Sequence, residues 1–415
     1  MITAVNAVRA GRQNRVVILE TVQRVGSISR SGLVTATGLT PATITNAVRE
    51  LIELRLLRAT GQLASRRLAT AGAPSELLAL DGSWHRVLSV HQGVSRVRLG
   101  LHDISGQVLA SRELPTRPRE SARSLVRRVA AALHELMRAH GVADYQIRGV
   151  GVGAVGLVDP ESGTVRAAPN LGWLDIPLRQ LVEDSLGWPV VVQNNVHAMA
   201  AGEVRFGGVA EDDAVYVYVG TGIGSGIIIG GRVHDGAHGA GGEIGHLVVP
   251  GGGPCTCGKV GCLETIAAEP AIVRRAAFLA ADSSRSAYKP AMARLVKLAL
   301  HGHSHARAQL VDVAESLGQA LAQVVEILDP GAVILNGIIA EAGDLFLDPL
   351  GAALHRTAFA VRGRSVAVRT ARFGRQAGMI GAATLALDAY VYQPQAHLFA
   401  ERWAGGRPIS GAVPA

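Results

Sequence analysis

The chain has 415 residues, 48% of them apolar; this is enough to bury the cores of two or three domains and excludes wholesale disorder. No apolar run approaches the roughly 20 residues that span a bilayer, and the opening Met-Ile-Thr-Ala-Val-Asn lacks the charged start and apolar core of a secretion signal, so a cytoplasmic protein with no membrane partner is expected. The net charge of +8 is uneven: ten arginines against four glutamates put +6 of it in the first 80 residues, which points that end toward a polyanion, most simply double-stranded DNA.

Three helical patterns occur in this basic head. Residues 14–25 place Val17, Ile18, Thr21, Val22 and Val25 at helical spacing. Ser29 offers an N-cap to a second helix over residues 30–37, and Gly38 supplies the turn that ends it. Thr40-Pro41 is an N-cap followed by proline at the first helical position. The third helix is expected to bury Ile44, Val48, Leu51 and Ile52 and to show Ala42, Thr43, Thr45, Asn46 and Arg49. This is a helix-turn-helix pattern, whose second helix enters the major groove. Arg30, Thr40, Ala42, Thr43, Thr45, Asn46 and Arg49 are its candidate DNA contacts. Leu56-Leu57 and residues 77–80 read as the two strands of a wing, with Arg66 and Arg67 between them as further contacts.

From about Val87 the pattern becomes α/β. Residues 87–102 and 107–114 alternate around Ser105-Gly106, a hairpin signal, and Ser121 caps a long helix ending near Gly141. Strands are expected at 147–152 and 189–193, then a helix over 196–204. A strand-rich stretch over 214–233 contains Gly220-Thr221-Gly222-Ile223-Gly224-Ser225-Gly226, dense enough in glycine to bring backbone close to a phosphate or sugar. Helices are expected over 270–280, 291–301 and 305–328, with a buried strand at 332–335. His301, His303 and His305 read as a polar loop between helices. The tail from residue 393 carries little core signal. The expected domains are therefore 1–82, 83–392 and a tail, 393–415.

All three cysteines, Cys255, Cys257 and Cys262, follow His246 within one short stretch. Three thiolates and an imidazole make a closed tetrahedral zinc set with no position for a catalytic water, so the zinc is structural. Gly258 and Gly261 are the small residues a tight metal loop needs. No cysteine is spare for a disulfide, which fits a reducing compartment.

Together these segments resemble the ROK family (repressors, open reading frames and sugar kinases) over nearly the whole chain. The matching motifs are Ser29-Arg-Ser-Gly-Leu33, residues 37–45, Gly220–Gly226, Gly242-Glu-Ile-Gly-His246, and the cysteine loop 246–262 running into Leu263-Glu264. The resemblance implies a winged helix-turn-helix followed by a two-lobed, actin-like ATPase fold of ribonuclease H type. It implies a sugar held between the lobes by Asn194, Glu243, His246 and Glu264, with Asn170 near the pocket and Asn195 as a further hydrogen-bonding amide. The chemistry agrees, because carboxylates and amides suit vicinal hydroxyls.

Three positions depart from the family's kinases. The general base is an aspartate at position 195 of the kinase pattern and an amide here, which cannot accept a proton; losing a general base costs about 10²–10⁴ in rate. The first phosphate loop, Asp-x-Gly-Gly-Thr, reads His91-Gln92-Gly93-Val94-Ser95, and a Gly-Gly pair that helps hold adenosine reads Asn336-Gly337. Two departures fall on the repressor pattern: Gly72-Ala73-Pro74 where the wing usually has Gly-Arg-Pro, and Arg55 where a glycine usually ends the recognition helix. The expected function is a sugar-responsive repressor without kinase activity, a homodimer or homotetramer on a partly palindromic operator; the alternative is a sugar kinase with a DNA-binding head.

Overall fold

The computed structural model describes residues 7–63, 76–117, 120–276 and 288–392. The head is built from α1 (Ala7–Val25), β1 (Ile28–Ser29), α2 (Arg30–Thr37), α3 (Pro41–Glu53), β2 (Leu57–Leu63) and β3 (Glu76–Leu80). The strands form one sheet in the order β1-β3-β2. The caps fall where the sequence puts them. Ser29 Oγ accepts from Gly32 N and Thr40 Oγ1 from Thr43 N, and Gly38 closes α2 at φ 70°. Helices α2 and α3 followed by the antiparallel pair β2–β3 are the element order expected of a winged helix-turn-helix. The wing tip, with Arg66, Arg67 and Gly72-Ala73-Pro74, lies outside the described residues.

Arg55 takes the left-handed conformation that a glycine would ordinarily supply, at φ 55°. Arg55 N donates to Ile52 O at 3.0 Å and Leu56 N to Leu51 O at 2.9 Å, the paired bonds of a Schellman cap. The strained arginine has a partner: its guanidinium lies 3.9 Å from the centroid of the Trp84 ring.

The body contains two five-stranded sheets of similar plan. The first uses β4 (Arg86–Gln92), β5 (Arg96–Asp103), β6 (Val108–Pro115), β7 (Ile147–Ala154) and β11 (Val190–Asn194), ordered β11-β7-β4-β5-β6. The stretch 87–102, expected as one strand, turns back on itself at Gly93, where Gly93 N bonds Arg96 O. Helix α4 (Ala122–Ala139) covers this sheet. A small sheet, β8 (Leu157–Val158), β9 (Val165–Ala168) and β10 (Trp173–Ile176), precedes α5 (Leu178–Leu186). Helix α6 (Asn195–Phe206) then crosses to the second lobe.

The second sheet is ordered β14-β13-β12-β15-β16, from β12 (Ala214–Val219), β13 (Ile223–Ile229), β14 (Arg232–Val233), β15 (Ala332–Asn336) and β16 (Ala367–Thr370). Each sheet joins an antiparallel meander to two parallel strands, the doubled plan of actin-like ATPases. The core of this lobe is closed by α7 (Glu264–Ala267), α8 (Glu269–Arg275), α9 (Tyr288–Leu300), α10 (Ser304–Leu328) and α11 (Asp344–Thr357). His303 caps α10 through Ala306 N, consistent with a polar inter-helix loop. Helix α12 (Ala377–Leu387) is apolar on every side and returns to pack on α6 and the first sheet.

The head does not hang free. Its core residues Ile18, Leu19, Val22, Leu33 and Leu78 belong to one apolar cluster with Ala383, Ala386, Leu387, Val391 and Tyr392 of the body. His85, just after the wing, bonds Leu54 O at 2.8 Å, tying the end of α3 to the body.

Candidate functional site

Four ligand atoms converge after β14. His246, Cys255, Cys257 and Cys262 place theirs within 4.8 Å of one another. Cys255 Sγ is 3.7 Å from His246 Nδ1, and Cys257 Sγ is 3.6 Å from Cys262 Sγ. A tetrahedral ion with sulfur at about 2.3 Å and nitrogen at about 2.0 Å has edges of roughly 3.6–3.8 Å. The cluster therefore fits a metal of that kind. Gly258 and Gly261 shape the loop at φ 89° and 100°.

Glu243 caps and His246 ends a short 3-10 turn, Ile244–His246. The turn is pressed onto β13: Ser225 Oγ donates to Gly242 O at 2.6 Å, and a Cβ on Gly245 would run into the Ile223 carbonyl. Glu264 opens α7, and its carboxylate accepts from Cys255 Sγ at 2.9 Å. Glu243 keeps an exposed surface, but the protein around its carboxyl desolvates it and raises it above the ordinary range, with His246 and His197 pulling it down and Glu264 adding to the rise. Glu243, His246 and Glu264 thus form one polar group.

Asn194 caps α6. Its Oδ1 accepts from Val196 N at 2.8 Å and His197 N at 3.2 Å, and its Nδ2 donates to Gly156 O at 2.9 Å. One amide hydrogen remains for a ligand. Asn195 Nδ2 donates to Gln92 O at 3.3 Å. Two residues missed in the sequence join this end of α6 to the Glu243 segment. Buried His197 meets Gly241 O at 2.8 Å through Nε2, and Gln193 Nε2 donates to Asp235 Oδ1 at 2.9 Å. No sequence signal marks them, since both pairings cross a loop.

The glycine-rich stretch is a hairpin. Gly220–Gly222 make the turn between β12 and β13, where Gly220 N bonds Gly222 O at 2.9 Å. The next two glycines let α6 approach the sheet: a Cβ on Gly224 would meet Val196 and one on Gly226 would meet Ala200. A cavity of about 1280 Å³ lies between the lobes. It is lined by His91, Val94 and Asn336, three of the departures from the kinase pattern, and by Gly337 and Asn170, but not by Asn195. The other expected sugar residues lie outside its lining, so it is a neighbouring space. Asn336 is spent structurally, donating to Tyr216 Oη at 2.6 Å.

On the head, Thr40, Ala42, Thr45, Asn46 and Arg49 are exposed along α3, and Arg30 and Thr43 are half-buried. The Thr45 hydroxyl bonds Pro41 O in its own helix. Ile52, expected in the core, is half-buried, and Ala47 is buried in its stead.

The ROK family profile matches residues 87–389, nearly three-quarters of the chain. The chain belongs to the ROK family. A putative xylose repressor of Caldicellulosiruptor sp. (strain Rt8B.4) is 30% identical over 384 residues, covering 90% of this chain and 95% of that protein. A glucokinase of Streptomyces coelicolor is 34% identical but covers 72% of this chain and 97% of its own length. Among solved structures, a ROK family transcriptional regulator, homologous to the E. coli MLC protein, superposes with a TM-score of 0.76 at 25% identity, covering 94% of this chain and 99% of its own. The repressor and regulator matches cover 90% and 94% of this chain, more than the ROK domain alone, whereas the glucokinase match covers 72% of it while using 97% of that kinase's length.

Proposed function

We propose that this ROK protein is a cytoplasmic, sugar-responsive repressor that binds a partly palindromic operator as a homodimer or homotetramer. One observation carries the reading: the basic helix-turn-helix shares a continuous apolar core with a sugar-kinase-like body. Arg30 on α2 and Thr40, Ala42, Thr43, Thr45, Asn46 and Arg49 around α3 are the proposed contacts with base edges and phosphates, and Thr40 also caps the start of α3. Arg66 and Arg67 serve the wing.

Glu243, His246 and Glu264 would take a sugar's hydroxyls, with Asn170, Asn194 and Asn195 approaching from the first lobe. His246, Cys255, Cys257 and Cys262 would hold a zinc ion that supplies fixed geometry and no reaction chemistry. It pins the loop that carries His246 and leads into Glu264, so metal and pocket shape are linked. Sugar would draw the two sides of the cleft together and bias one head arrangement by its differential affinity for it.

Operator selection with the full chain should yield a palindrome, and titration against a sugar panel should change its affinity for that DNA. Affinity that is the same with every sugar would overturn the sensing half of the proposal. A hexokinase-type phosphotransferase is the alternative that the glucokinase relatives favour. It requires sugar-dependent ADP release, which the Asn195 amide disfavours.

A further inference from the structure

The interlobe cavity has an unusual charge distribution. Arg96 and Arg98 on β5 and Arg117 just after β6 line its first-lobe wall, and Arg375 faces them from the second lobe. The nearby carboxylates are fewer. Arg96 and Arg98 share Glu113, Arg128 holds Glu120, and Arg375 holds Glu341. Arg117 forms no ion pair among the described residues. The three guanidiniums on this wall therefore have one carboxylate between them, Glu113, because Glu120 on the same side is taken by Arg128.

Strand register places His91, Arg98 and Glu113 in one row across β4, β5 and β6. No aspartate lines the cavity among the described residues. A magnesium–phosphate complex is held through one or two carboxylates besides the phosphates. Here both lining glutamates, Glu120 and Glu341, are already paired with arginine. Such a wall repels a divalent cation and attracts a bare phosphate, which guanidinium forks bind in bidentate fashion. Tyr218 on β12 lines the same cavity from the second lobe; burial pushes its phenol up to about 12, Glu269 adds to the rise and Arg98 opposes it. Leu125, Trp173, Met199 and Leu335 give the cavity an apolar floor, and its volume exceeds what a small metabolite needs.

We propose that this cleft binds a phosphate-bearing small molecule directly on Arg98, Arg96 and Arg117, without a divalent cation. His91 and Asn170 put the inner end of the cavity beside the sugar residues. A sugar phosphate would occupy both spaces, and a free phosphate or pyrophosphate only the outer one. The inference stands on the cleft and not on the DNA-binding reading.

The test is calorimetric titration of the full-length protein in magnesium-free buffer with pyrophosphate, inorganic phosphate, glucose 6-phosphate and glucose. Each is repeated with magnesium, and with the Arg98→Gln and Arg98→Lys variants. At least one phosphate probe should bind without magnesium, and Arg98→Gln should weaken it about ten- to a hundredfold. Arg98→Lys should recover part of the loss. Glucose 6-phosphate binding more tightly than pyrophosphate identifies a sugar phosphate as the occupant; the reverse order identifies a free anion. Binding that needs magnesium, binding indifferent to Arg98→Gln (as on the basic head), or no binding by any probe overturns the proposal. A neutral sugar's effect on operator affinity, measured in parallel, is independent of all three outcomes.

Discussion

Arg205, near the end of α6, is the place to break communication between sugar and DNA. Its guanidinium pairs with Asp388, lies 3.4 Å from Glu20 of α1 in the head, and sits 4.5 Å from the Tyr392 ring centroid. Its carbonyl accepts from Gln23 of α1 at 3.4 Å. The side chain is 16% exposed and Glu20 and Asp388 are 48% and 36% exposed. The Glu20 pair therefore contributes little. Removing the guanidinium leaves Asp388, whose carboxyl burial already raises, without the cation that pulls it down. A fully buried orphaned charge costs about 3–5 kcal/mol; with a third of Asp388 open to water, about 1–2 kcal/mol is reasonable. The cation–π contact adds about 1 kcal/mol. Arg205→Ala should lower stability by about 2–3 kcal/mol and loosen the head on the body. If the coupling free energy, commonly about 1–3 kcal/mol, runs through this junction, the sugar-induced change in operator affinity should shrink about fivefold or more. Sugar affinity itself should stay nearly constant. Fluorescence anisotropy on operator DNA, with and without sugar at fixed salt, reads the first, and calorimetry the second. A full-sized sugar response in a stable Arg205→Ala protein would refute the reasoning.

Other outcomes follow from the same contacts. Elemental analysis should find one zinc per chain, and Cys257→Ser or phenanthroline treatment should remove it together with sugar binding, because His246 and Glu264 ride on the metal loop; sugar binding that survives metal loss would separate the two. Burial holds His85 and His102 down at about 4, with Arg148 assisting at His85. Both stay neutral in the fold and protonate on unfolding, so their contribution is complete above pH 6.5 and is lost as pH falls toward 4, about 2 kcal/mol each by pH 5. Urea midpoints across that range should fall, and His102→Gln should flatten the slope. Gly381→Ala would drive a Cβ into the Ala198 carbonyl where α12 meets α6. Its unfolding free energy from chemical denaturation should drop by about 1–3 kcal/mol, the cost of overpacking.

The sequence was most legible where the signal is local. Thr40-Pro41 and Ser121 begin helices because a cap acts on backbone groups two or three residues away. The His-Cys cluster is equally compact, and its four candidate metal ligands span 17 residues. Periodicity failed where burial is total: α12 has ten of its eleven residues buried, so no polar face marks its phase. The turn at Gly93 was hidden because β4 and β5 are both largely buried strands that read as one run. Long-range register was invisible altogether. The row His91–Arg98–Glu113 exists only once three strands are paired, so the arginines of the cleft could not be placed beforehand. The capping role of Asn194 was likewise masked by its resemblance to a ligand-binding residue.

The arrangement of α6 and α12 gives the sensing proposal its mechanical content. Helix α6 begins at the Asn194 cap beside the proposed sugar residues and carries Arg205, one residue before its end, against the head. Helix α12 begins below His91 at the cleft, since Gly378 is the glycine that leaves room for that imidazole, and runs into the cluster shared with the head. The two helices touch backbone to backbone, with a Cβ on Gly202 meeting Gly381 at 3.0 Å. A contact that close has no side chains to absorb a shift. A ligand that moves the start of α6 by even a fraction of an ångström must carry α12 with it or open the Gly202–Gly381 contact. Moving α12 displaces Ala383, Ala386 and Leu387 beneath the head, whose core cannot be re-exposed without losing roughly 25 cal/mol for each Å² of apolar surface. The lower-energy response is for the head to follow, and under the sensing proposal a bound sugar would thereby change the spacing of two recognition helices.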